Sequence, residues 1–149
     1  MEARLTGRAG VFLALLGCSL ALTAPSRAAQ EQNGRFDAMV ADVKATMLAD
    51  PREAIRRGEA TLRLAREKHS PSMVATAQWL LGEAYLRTND PQQALKLLND
   101  AQHALGADGK GSHLQADILL SQGGARTATG EVAMALVNLH RLCPVPFAA

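Results

Sequence analysis

From Arg35 onward, apolar residues recur three and four positions apart, and no stretch alternates apolar with polar as a strand would. Met73, Ala77, Leu80, Leu81, Ala84 and Tyr85 share one helical face, and Ala94, Leu97, Leu98, Ala101 and Leu105 share another. The intervening residues are mainly Arg, Glu and Gln, which favour helix. Within this region proline falls only at boundaries. Asp50-Pro51, Ser70-Pro71 and Asp90-Pro91 each pair a capping side chain with proline at a first helical position. The pattern predicts helices over 35–48, 51–68, 72–88, 91–105, 113–128 and 131–142. GADGKGS (106–112) is the one longer loop, and residues 29–34, which include the polar QEQNG, read as a linker.

The helix hinges repeat. ADPREAI from Ala49, NDPQQAL from Asn89 and TGEVAMAL from Thr129 place Ala54, Ala94 and Ala135 in register, at intervals of 40 and 41 residues. That period belongs to solenoids built of helix pairs. The expected fold is therefore all-α: about three helix–turn–helix repeats, 35–70, 71–111 and 112–142, stacked as a short α-α superhelix. A plain helical bundle with coincidental hinges is the competing architecture.

The middle copy carries a family resemblance. Leu81-Gly82-x-x-Tyr85, followed by Ala94, Leu98 and Ala101, resembles the tetratricopeptide repeat (TPR), in the longer-period form found in bacterial sensor and regulator proteins. Gly82 and the alanines would let helices approach closely, with Tyr85 and Leu98 filling the space between them. Several positions depart from the pattern. Gln78 stands where the TPR tryptophan is usual, with Trp79 one place later, and Gly106 replaces a proline. The third copy keeps Gly123, Ala135 and Leu139 but has Arg126 in place of the tyrosine, and the first keeps chiefly its hinge and second helix. The resemblance implies that the first helix of each pair lines a concave groove that holds a peptide or protein. On the middle copy its groove positions fall at Thr76, Trp79, Glu83 and Arg87. Packing of Trp79 against a neighbouring helix is the alternative for that residue.

The N-terminus follows different rules. Arg4 and Arg8 precede an uncharged run, Val11 to Ala24, and Ser26 and Ala28 are small residues spaced as at a cleavage site. These are the parts of a secretory signal peptide over residues 1–28, with a retained anchor as the rival, and the run is short for a spanning helix. LLGC (15–18) resembles a lipoprotein signal, but Leu16 and the apolar residues beyond Cys18 argue against lipidation. Loss of 1–28 removes Arg4, Arg8, Arg27 and Glu2 from 16 basic and 14 acidic residues, leaving thirteen of each. A neutral chain offers no electrostatic case for nucleic acid or an anionic membrane. Only Cys143 would remain, so no internal disulfide forms. The expected location is periplasmic or otherwise exported.

Nothing in the chain predicts chemistry. His69, His103, His113 and His140 lack ligand spacing, there is no HExxH or CxxC, and GADGKGS lacks the spacing of a phosphate-binding loop. Ser72, Ser112 and Ser121 have no nucleophile context. The mixed charges of Arg52 to Lys68 describe a solvated helix face. No catalytic residue, metal or cofactor is expected. The expectation is an exported, non-enzymatic interaction scaffold. A second reading is an isolated sensor portion of a membrane-anchored signalling enzyme of the diguanylate cyclase or histidine kinase type. The last pair lacks a polar cap before the irregular apolar tail (143–149), so the expectation is either that this end pairs with another copy or a partner, or that the chain is a truncated form of the sensor portion.

Overall fold

A computed structural model describes residues 27–142. It contains six helices: α1 (Arg27–Met47), α2 (Pro51–Glu67), α3 (Pro71–Arg87), α4 (Pro91–Leu105), α5 (His113–Ala128) and α6 (Val132–Leu142). The tail at 143–149 lies outside the described residues, as does most of the expected signal segment, Cys18 included.

The helices start where local chemistry dictates. Asp50, Ser70, Asp90 and Ser112 each accept a hydrogen bond from the backbone N–H three residues on, at 3.0, 3.4, 3.1 and 3.2 Å. Such a cap is worth about 1 kcal/mol. One boundary differs from expectation. The stretch read as a linker, 29–34, belongs to α1, which begins at Arg27. Ala, Gln and Glu extend the helix backward from buried Phe36, and the single Gly34 costs only about 1 kcal/mol.

Consecutive helices pack as antiparallel neighbours, and α1 also meets α3, which in turn meets α5. The second helices of the pairs do not touch one another. One layer (α1, α3, α5) is therefore tight and the other (α2, α4, α6) splayed, which curves the stack with the tight layer inside. This is an all-α helical repeat superhelix of three pairs.

Its register is close. The six buried residues of α5 are Ile118, Leu119, Ser121, Gln122, Gly123 and Ala125, and each lies 41 residues after a buried residue of α3. Ala54, Leu81, Gly82, Ala94, Leu98, Ala101, Gly123 and Ala135 are all buried, and Tyr85 is half-buried against the core. Leu81 rests on Gly58 between pairs, and Leu98 rests on Gly82 within a pair. The first pair departs from this scheme. Phe36, Val43 and Met47 are buried on α1, yet counting back 40 residues from exposed or half-buried Thr76, Glu83 and Arg87 gives these same positions. Helix α1 thus turns inward the face that α3 leaves open.

The turns also sort differently from their spelling. Three turns share one geometry, with a left-handed residue (His69, Asn89 or Gly130) and a closing bond from the next N–H to the carbonyl five residues back. They join α2–α3, α3–α4 and α5–α6. The ADP hinge between α1 and α2 resembles NDP in letters, but Asp50 N–H bonds the carbonyl of Thr46, four residues back, with no left-handed residue.

Candidate interaction groove

The ends of α1 and α3 enclose a cleft of about 260 Å³, lined by Lys44, Met47 and Leu48 on one side and Trp79, Leu80, Glu83 and Arg87 on the other. Leu48 is 78 % exposed beside it. Helical spacing makes this site: Leu80, Glu83 and Arg87 are three and four residues apart and come to one face. Three of the four expected groove residues, Trp79, Glu83 and Arg87, meet here. Thr76 does not. It lines a separate depression of about 320 Å³ with Asn33, Phe36, Asp37, Val40, Ser72 and Met73, and its hydroxyl donates to the Ser72 carbonyl at 3.0 Å.

Trp79 packs against neighbouring helices, the alternative considered for it. Its indole N–H donates to Ser121 Oγ on α5 at 3.1 Å, and Ser121 in turn donates to the Asp117 carbonyl at 2.8 Å. The ring is half-buried against both the Val43–Leu80 and the Leu95–Leu98 clusters. Lys44 Nζ lies 5.4 Å from the ring centroid, within cation–π range. The ring is turned toward α5, where it ties the middle pair to the last. Its remaining surface faces the cleft.

Apart from the approach of Lys44 to the Trp79 ring, the cleft's charges are not neutralised by one another. Among the described residues, no ion pair engages Lys44, Glu83 or Arg87. Two cations and one carboxylate thus border an apolar floor of Met47, Trp79 and Leu80. One repeat on, the positions matching Thr76, Trp79, Glu83 and Arg87 are Asp117, Leu120, Gly124 and Ala128, all exposed. On α5 this face thus keeps Asp117 and Leu120 but has only small residues, Gly124 and Ala128, where α3 has Glu83 and Arg87.

A buried polar cluster was not foreseen. Gln122, 2 % exposed, has Nε2 at 3.0 Å from Asn99 Oδ1, 3.0 Å from Gln102 Oε1 and 3.3 Å from the Leu98 carbonyl. Its Oε1 accepts from Asn138 Nδ2 at 3.2 Å. The signal lay in the register: Gln122 and Asn138 stand 41 residues after Leu81 and Leu97, so a polar pair replaces an apolar one. Gln78, at the position of the family tryptophan, is also buried, and its Oε1 has no hydrogen-bond partner.

Glu53 of α2 bonds Arg57 and Arg56, and Arg57 also pairs with Asp42 of α1, joining the first two helices at the surface. The Arg57 hydrogen bond, and then that of Arg56, hold the Glu53 carboxyl below its usual value. Glu53 and then Asp42 raise Arg57. Among the described residues, no group of three or more His, Cys, Asp or Glu is placed to hold a metal, and no helix is long and apolar enough to cross a membrane. No protein-family model, curated protein or solved structure matches the chain.

Proposed function

We propose that this chain is an exported interaction module of the TPR type, without catalytic activity of its own. It holds a peptide segment of another protein along the face shared by α1 and α3. The observation that carries this reading is the cleft at Trp79, where Lys44, Glu83 and Arg87, none of them in an ion pair among the described residues, border an apolar floor. Aromatic and arginine side chains in such a setting are the residue types that dominate protein contacts. The curvature of the stack, with the tight layer inside, gives an extended segment a continuous track past that point. The N-terminal signal-like segment supports export, to the periplasm or beyond.

Trp79 is the sole tryptophan of the chain, so its fluorescence reports on the cleft and on the α3–α5 contact that the same ring makes. A displayed library of random peptides is selected against the full chain, and the enriched peptides are titrated while this emission is followed. Saturable emission changes that weaken about tenfold or more in Arg87→Ala support the reading. Failure to enrich any peptide, or binding that leaves both the emission and the Arg87→Ala affinity unmoved, sinks it.

A further inference from the structure

We propose that the open face of α6 is the contact between two copies of this chain, paired through antiparallel α6 helices. Of the seven large hydrophobic residues exposed among those described, five lie on α6: Val132, Met134, Leu136, Val137 and Leu139. The repeat register explains three of them. Val132, Leu136 and Leu139 stand 41 residues after Pro91, Leu95 and Leu98. On α4, Leu95 and Leu98 are 8 % and 0 % exposed because α5 packs over them with Ala125. On α6, Leu136 and Leu139 are 62 % and 42 % exposed. The stripe continues, one helix further on, an interface that the molecule already builds between its pairs.

The charges at its two ends select the occupant. No charged residue lies between Val132 and Leu139; Glu131, which also pairs with Arg126 of its own chain at 3.0 Å, precedes the stripe, and His140 and Arg141 follow it. A two-fold axis between Ala135 and Leu136 sets Val132 of each copy opposite Leu139 of the other. It also brings the acidic start of each helix beside the basic end of its mate. Antiparallel pairing opposes the helix dipoles favourably, whereas parallel pairing would set Glu131 against Glu131. Head-to-tail stacking on α1 finds no comparable stripe: Leu48, just past its end, is the one large apolar side chain exposed there among the described residues. The described exposed residues of α1 are Gln30, Glu31, Asn33, Gly34, Arg35, Asp37, Ala38, Ala41, Asp42, Lys44 and Ala45. A face that needs an apolar, charge-complementary mate finds one in itself, and the isologous pair closes as a dimer.

Sedimentation of the full chain over a wide concentration range tests this, with circular dichroism as the check on folding. Wild type is expected to dimerise, and Leu136→Glu to weaken the dimer about a hundredfold with helicity retained. Arg141→Glu and Glu131→Arg each place like charges together at both ends and should weaken it about tenfold; because Glu131→Arg also removes the Arg126 pair within the chain, its helicity is checked before its affinity is read. Mixed in equal amounts, those two variants regain wild-type affinity as a heterodimer, because each supplies the charge the other needs. A wild type that stays monomeric overturns the proposal, as does association that none of these changes moves. Protection of α6 from hydrogen exchange in a monomer, lost on deleting residues 143–149, would assign the face to the chain's own tail instead.

Discussion

Leu98 occupies the space that Gly82 leaves by having no side chain: a Cβ on Gly82 would stand 2.7 Å from Leu98 Cγ. One repeat on, a Cβ on Gly123 would stand 3.6 Å from Leu139 Cδ2, an ordinary contact. Sequence presents the two glycines as equivalent, and packing separates them.

Gly82→Ala should therefore destabilise the fold. Leu98 is fully buried and clashes at its branch carbon, so overpacking of about 1–3 kcal/mol outweighs the helix gain of about 1 kcal/mol. Gly123→Ala should keep that gain, since Leu139 is partly exposed and free to adjust. Urea denaturation of the two variants should move the midpoint in opposite directions.

The Gln122–Asn138 pair predicts a non-additive cycle. Gln122→Leu alone strands the buried amide of Asn138 and should cost about 1–3 kcal/mol, and Asn138→Leu similarly strands Gln122 Oε1. The double change reproduces the Leu81 and Leu97 of the middle pair, and should recover much of the loss. Equilibrium unfolding of the four proteins measures the coupling, and simple additivity would contradict it.

His69 holds a left-handed backbone at φ 50°, a conformation costly for a residue with a side chain. His69→Gly should raise stability by about 1 kcal/mol, read as an increase in Tm. Asn89→Gly, at φ 62°, should gain less, because asparagine tolerates this region.

Glu53 gives the acid response. Its carboxyl is held below the usual value, so the folded state is favoured while this group is ionised. That contribution is present above the unfolded carboxylate value and is lost as pH falls through the lower folded value. An NMR titration should place the Glu53 midpoint below those of unpaired glutamates. Arg57→Ala should return it toward them, and added salt should shrink the difference because the group is exposed.

The helices and their pairing were legible because their signals are local. Asp50-Pro51, Ser70-Pro71 and Asp90-Pro91 each mark a helix start within four residues, and the spacing of Ala54, Ala94 and Ala135 marks the repeat. The start of α1 was less so: QEQNG is polar enough for a linker, and only the anchoring of Phe36 carries the helix back through it. Local letters also misrank the turns. KHSP, between pairs, adopts the geometry of TNDP, and ADP does not.

The groove was legible in part. Glu83 and Arg87 were expected only through the resemblance of the middle copy to the tetratricopeptide pattern, and the cleft's other wall comes from α1, whose rotation relative to its repeat position no local pattern records. Lys44 was missed for that reason. The bond from Trp79 to Ser121 spans 42 residues and needs the inter-repeat angle. Gln122 was missed because its partners lie on two other helices, 16 to 24 residues away.

Each helix touches only those one or two places away along the chain. Low contact order of this kind favours fast folding, since no distant ends must find each other first. It also makes cooperativity a matter of links in series, each as strong as its own interface. The link to α5 runs through Gln122 and Ser121 as much as through leucine, and among the described residues α6 packs against α5 alone. Amide exchange should therefore be graded rather than uniform, with the last pair opening on its own while the first four helices stay shut.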